Sequence, residues 1–211
     1  LVQTLGLQLI SPGNAGLITG LFVVFTPIFQ RLTGVPLQPV TGVAVLVALA
    51  GTALLAGGLA RFGVGDLLVL GCAVAFAIHI VLLGRWAPHL SAPALTFVQL
   101  LTCAFVFTLG GALQFRWPSA SVWFAIVVTG LLASALAFLI QTWAQRHLPP
   151  IQTALVLTTE PAWALLFAFL LAGQRLTLFS ALGAGLVLLA IVGHEAVRGL
   201  QTSRRKLPVG G

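Results

Sequence analysis

Stretches of about 20 residues with almost no charge recur along the whole chain, among them "DLLVLGCAVAFAIHIVLLG" (66–84) and "IVVTGLLASALAFLIQTWA" (126–144). A helix rises 1.5 Å per residue, so each stretch matches the roughly 30 Å hydrocarbon core of a bilayer. A transmembrane β-barrel would need strands of about 10 residues with alternating polarity, and the sequence holds none. Composition closes the remaining route. At 59% hydrophobic and 6% charged residues, with a mean hydropathy of +1.12, the chain lacks the polar skin a soluble globule needs. The sequence predicts an all-α membrane protein, a polytopic helical bundle.

Seven spans are expected, at roughly 13–31, 40–59, 66–84, 92–113, 120–144, 151–172 and 176–196. The breaks carry Pro, Gly and Arg, as in "RLTGVPLQP", "RWAPHLSAP" and "QRHLPP". The opening "LVQTLGLQLI" is too short to span a bilayer and has no basic region, so it is not a signal peptide. It reads as the end of a helix, and with no Met in the sequence the chain is expected to be a fragment. The tail 198–211 is polar and expected to be disordered.

A net charge of +7 raises the question of nucleic acid, but the ten Lys and Arg are scattered over short loops and the C-terminus. Such charges set topology, and no nucleic-acid partner is implied. With the C-terminus in the cytoplasm, Arg31, Arg85, Arg146, Arg198, Arg204, Arg205 and Lys206 lie inside. Arg61, Arg116 and Arg175 lie outside. Trp86, Trp117 and Trp123 fall at span boundaries, as an aromatic belt would. Cys72 and Cys103 lie inside apolar runs and read as free thiols. The bilayer is the one environment this pattern fits, with the cell (inner) membrane as the expected location.

An internal repeat is also legible. The stretch from Ser11 to Gly51 resembles that from Pro149 to Gly193: a Pro-containing start, a long helix carrying a proline (Pro27, Pro161), a short loop, then a Gly- and Ala-rich helix. The two prolines align only after a shift of about one helical turn. If the opening stub is the third helix of a longer array, equivalent helices are five apart. They then cross in opposite directions, as in the inverted repeats of secondary transporters.

"GNAGLITGLFVVFTP", "GDLLVLGCAVAFAIHIVLLGR" and "TALVLTTEPAWALLFAFLLAGQRLTLFSALGAGLVLLA" resemble the EamA-type transporters of the drug/metabolite transporter superfamily. The resemblance runs to about residue 197. It implies ten helices in two five-helix repeats, both termini in the cytoplasm, and transport of small metabolites, often outward. Residues 1–61 would then be the C-terminal part of a truncated first repeat, 66–197 the second repeat, and 198–211 a cytoplasmic tail. The chain departs from the family in lacking most of the first three helices. It also has Gln174 where the loop usually carries Glu.

Candidate pathway residues follow from cost. A carboxylate at mid-membrane costs about 2.5–3.5 kcal/mol or more facing lipid, and Glu160 lies nine residues into its span. It must face the bundle interior, be protonated, or both. On a continuous helical wheel Gln152, Thr159, Glu160 and Trp163 share its side. Pro161 has no N–H for the carbonyl of Leu157, freeing that oxygen. The plainer reading of Glu160 is a protonated acid bonding a neighbouring helix. Gln141 stands on a face of small residues (Gly130, Ser134, Ala137), His79 lies deep in its span, and Thr19 follows a Gly16-x-x-x-Gly20 packing pattern. Each is a pathway candidate whose plain alternative is packing or a hydrogen-bonded core residue. "GVGD" (63–66) matches a fragment of intramembrane aspartyl proteases, but that chemistry needs two carboxylates sharing a proton and Asp66 is the lone Asp. Asp66 more simply complements a helix start. The expectation is a secondary transporter of small molecules by alternating access, not an enzyme, with no metal or cofactor. The alternative is a non-transporting membrane packing or assembly protein on the same fold. Substrate class and oligomeric state are not specified by the sequence.

Overall fold

The computed structural model describes residues 2–10, 12–56, 63–111, 117–173 and 177–206. Arg61, Arg116, Gln174 and Arg175 lie outside the described residues. Every regular element among those described is helical: α1 (Val2–Gly6), α2 (Pro12–Gly20), α3 (Phe22–Leu32), α4 (Pro39–Ala56), α5 (Val64–Trp86), α6 (Ala92–Gly111), α7 (Ala120–Val128), α8 (Ala137–Ala144), α9 (Pro150–Leu157), α10 (Glu160–Ala172) and α11 (Leu178–Lys206). Six segments are long and apolar enough to span a bilayer. The second expected span, Pro39–Leu55, is a slightly shorter apolar helix. This is an all-α polytopic membrane protein.

Three spans are not the uninterrupted helices the sequence suggests. The first is divided at Leu21, whose N–H reaches Ile18 O at 3.1 Å in a tightened turn, while α3 runs on through Pro27. The fifth widens into a π turn over Thr129–Leu136 before continuing as α8. The sixth is divided at Thr158–Thr159. At the other extreme, α11 does not stop at 197 but continues to Lys206. Extending a helix adds one bond per residue fixed, so a polar continuation is cheap, and the next strong stop signal in the sequence is Pro208.

The chain forms two compact units, residues 82–149 and residues 2–81 together with 150–211. In the larger, α4 and α11 pack along their lengths. Thr41 Oγ1 lies 3.2 Å from His194 Nε2, whereas Gly183, earlier in α11, meets Gly51 and Leu55, later in α4. Early residues of one helix meet late residues of the other, so the pair is antiparallel. The crossing is close enough that a Cβ on Gly51 would stand 2.7 Å from the Gly183 carbonyl oxygen, and the absence of side chains is what admits it. Phe22, Val23, Ala44, Ala48, Ala77, Ile80, Leu155 and Ala190 form the core of this unit. A second small-residue contact joins α1 to α5 through Gly6 and Gly65. The start of α5 is capped: Gly63 N–H donates to Asp66 Oδ2 at 2.7 Å, which gives the acid of "GVGD" a structural role.

In the smaller unit a polar contact joins α6 to α8, where Gln99 Nε2 donates to Thr142 Oγ1 at 3.2 Å and to Leu95 O of its own helix at 3.2 Å. Leu83, Thr96 and Gln145 are buried in it, but many of its large apolar side chains are exposed, including Phe105 (64% exposed) and Phe124 (72%). Exposure on that scale would drive aggregation in water. Against lipid tails it costs nothing.

Candidate functional site

The division of the sixth span creates the most functionally suggestive region. Pro161 cannot donate to Leu157 O, and the Ala162 N–H turns to Thr159 O at 2.9 Å instead of reaching Thr158 O. Two consecutive carbonyls therefore lose their usual donors, four residues on. In hydrocarbon such groups need a cavity, water or protein around them.

A cavity is there. It measures about 410 Å³ and is lined by Leu157, Thr158, Glu160, Pro161 and Ala164 from the divided span. The other walls come from Gln3 (α1), Gly16, Thr19 and Gly20 (α2), Phe22 (α3), Thr52 (α4), and Cys72 and Phe76 (α5). All belong to the larger unit. Glu160 is exposed and is the one charged residue of the lining. No hydrogen bond or ion pair ties its carboxylate down among the described residues.

The rest of the wall is ordered. Gln3 Nε2 donates to Thr19 Oγ1 at 3.3 Å, and the Cys72 thiol points to Gln3 Oε1 at 3.9 Å. The hydroxyls of Thr52 and Thr158 donate to carbonyls in their own helical turns, Ala48 O at 2.9 Å and Ala154 O at 2.8 Å. Phe22 and Phe76 meet edge to face, with ring centroids 5.1 Å apart. Gly16 has no atom within 4 Å of where its Cβ would be, so here the missing side chain is cavity volume. Only Gly20 of the Gly16-x-x-x-Gly20 pair packs closely, against Thr52.

The structure thus brings Glu160, Pro161 and Thr19 onto one cavity and puts the remaining sequence candidates elsewhere. Thr159 Oγ1 donates to Val156 O at 2.6 Å, and its neighbour Thr158 takes the place on the wall. Trp163 lines a separate apolar recess with Leu166, Ala184 and Leu188. Gln152 donates to both carboxylate oxygens of Glu195, at 2.8 and 2.7 Å. Glu195 also lies 3.1 Å from the buried His194, so this polar chain links α4, α9 and α11. His79 stacks on Phe76, one layer behind the wall, with centroids 6.1 Å apart. Gln141 belongs to the smaller unit and donates to Gln145 at 3.4 Å. Pro27 is buried within α3. The sequence reading missed Gln3, Thr52, Cys72, Phe76 and Thr158. Nothing in a single helix's pattern marks them, since they converge from three helices and a break.

Comparison with known proteins gives the lineage. Residues 63–194 match the EamA-like transporter family. A protein of Archaeoglobus fulgidus described as an uncharacterized transporter is 31% identical over 199 residues, which cover 90% of this chain. The chain spans 62% of that relative's length. A crystal structure superposes with a TM-score of 0.77 over 98% of this chain and 73% of its own, at 24% identity, a likeness of fold alone. The sequence match over most of the chain, on a fold of apolar spanning helices, makes this protein a member of the EamA-like transporter family.

Proposed function

We propose that the chain forms the carrier core of a secondary transporter that moves small metabolites by alternating access around the Glu160 cavity. The observation that carries this reading is the divided span itself. A membrane helix interrupted beside an unpaired carboxylate, where two carbonyls lose their usual donors on residues that line a cavity of about 410 Å³, resembles the arrangement transporters use to hold substrate or coupling ions. A protein that only packs helices gains nothing from it, since each released carbonyl is a cost.

Residues 1–61 belong on this reading to a first repeat and 66–197 to a second, inverted one. Two features support it. The antiparallel α4 and α11 occupy corresponding places, each following a divided span, α2–α3 and α9–α10. The C-terminus is assigned to the cytoplasm from the distribution of Arg and Lys.

Transport by vesicles containing the intact protein, with Glu160→Gln and Glu160→Ala variants, tests the reading. If the carboxylate acts as a charge, both variants insert normally and lose transport. If it acts as a hydrogen-bonding group, Gln stays active and Ala fails. An Ala variant that melts lower, by about 1–2 kcal/mol for one interhelical bond, yet transports at the wild-type rate would make Glu160 structural and remove it from the pathway.

A further inference from the structure

The inventory of hydrogen-bonding groups on the cavity wall is lopsided, and the imbalance points to the chemistry of what enters. An ionised Glu160 is acceptor-only. The hydroxyl protons of Thr158 and Thr52 are already committed to Ala154 O and Ala48 O, so these oxygens present only lone pairs. The carbonyl of Leu157, another lining residue, has lost its N–H partner to Pro161. Against these acceptors stand, among the described lining side chains, two free N–H or O–H donors, the Thr19 hydroxyl and the second N–H of Gln3, whose first N–H is held by Thr19. No Lys, Arg or His is among the described lining residues. An anion would meet a carboxylate with no cationic side chain of the described lining to balance it, and a neutral acceptor would leave the wall's own acceptors unsatisfied at membrane depth.

We propose that the cavity takes an ammonium compound, a primary or secondary ammonium cation with an apolar body. The N–H donors go to the Glu160 carboxylate and to the oxygens of Thr158 and Leu157. The apolar body lies toward Phe22 and Phe76, whose ring faces also favour a cation. A volume of about 410 Å³ is at the small end of ordinary ligand pockets, so the fitting ligand is a monoamine the size of one aromatic ring and a short chain. The proposal rests on the cavity being the transport site, and its test separates the two.

Three probes of matched shape and different charge are offered to the intact protein in detergent: 2-phenylethylammonium, 2-phenylethanol and phenylacetate. Binding is read as a saturable rise in melting temperature, in wild type, Glu160→Gln and Ala164→Trp, the last filling the cavity from its wall. The expected result is that the ammonium binds and the other two do not. Glu160→Gln should weaken that binding about 10- to 100-fold, the worth of one hydrogen bond to a charged group, and Ala164→Trp should abolish it. Each variant's melting temperature without ligand checks that it folds. Saturable binding of phenylacetate or phenylethanol in place of the ammonium, blocked by Ala164→Trp, overturns the substrate class and leaves the cavity as the site. Absence of ammonium binding also overturns the class. Ammonium binding unchanged in both variants overturns the cavity reading itself.

Discussion

Thr158 and Thr159 are adjacent and chemically identical, yet the structure gives them different work. Thr158 is buried on the cavity wall and Thr159 turns its hydroxyl to Val156 O. A helical wheel drawn through the span puts Thr159 beside Glu160, because it assumes an uninterrupted 100° step per residue. The interruption at Thr158–Thr159 breaks that phase and brings Thr158 inward. Pro161 was visible in the sequence as the cause of a break, but where the chain would release its turn was not, because that depends on which carbonyls find other partners. The difference is measurable in vesicles. Thr158→Ala should lower transport several-fold, within the roughly 5-fold to 10-fold expected for one neutral hydrogen bond. Thr159→Ala should transport close to the wild-type rate. Equal effects would mean that neither hydroxyl reaches the substrate.

Among the elements, glycine crossings set how closely helices of the larger unit approach. A Cβ at Gly51 would lie 2.7 Å from Gly183 O and 2.8 Å from Val187 Cγ2, with backbone on the near side and no flexible side chain to give way. Gly51→Ala should therefore push α4 from α11 and lower stability by about 1–3 kcal/mol, the usual cost of overpacking. Gly16→Ala meets nothing within 4 Å and should leave the melting temperature nearly unchanged, despite its place in a G-x-x-x-G pattern. Detergent melting curves of the two variants check this, and equal destabilisation would contradict the assigned crossing. Helix identity was legible here because apolar length alone dictates it. The partner of each glycine was not, since Gly51 and Gly183 are brought together only by tertiary packing. The same holds for Gln152, which looked like a pathway residue on its own helix and is engaged by Glu195 of α11.

For the whole molecule, a bilayer solvent and the family were legible from runs of apolar residues and a few motif residues, because lipid admits so few backbone solutions. The cavity was half legible: the cost of burying a carboxylate singled out Glu160, whereas its neighbours Cys72 and Phe76 come from α5 and leave no local sign. Orientation is testable directly. Reporters fused after Gly34, His89, Pro149 and Gly211 should read cytoplasmic and those after Gly63, Ala120 and Gly173 external; an external reading at Gly211 would reverse the assignment. The central claim, that substrate passes through the Glu160 cavity, has its most direct test in the two cysteines of the chain. Cys72 lines the cavity, whereas Cys103 is exposed on the apolar helix α6. In a protein in which Cys103 and any cysteine outside these 211 residues are replaced by Ala, Cys72 is the thiol offered to a charged methanethiosulfonate reagent, with labelling followed by mass spectrometry and transport measured in the same vesicles. Cys72 should be modified from water, and transport should stop in proportion to the modified fraction. Full modification with transport undiminished, or a Cys72 that the reagent never reaches, would contradict the claim.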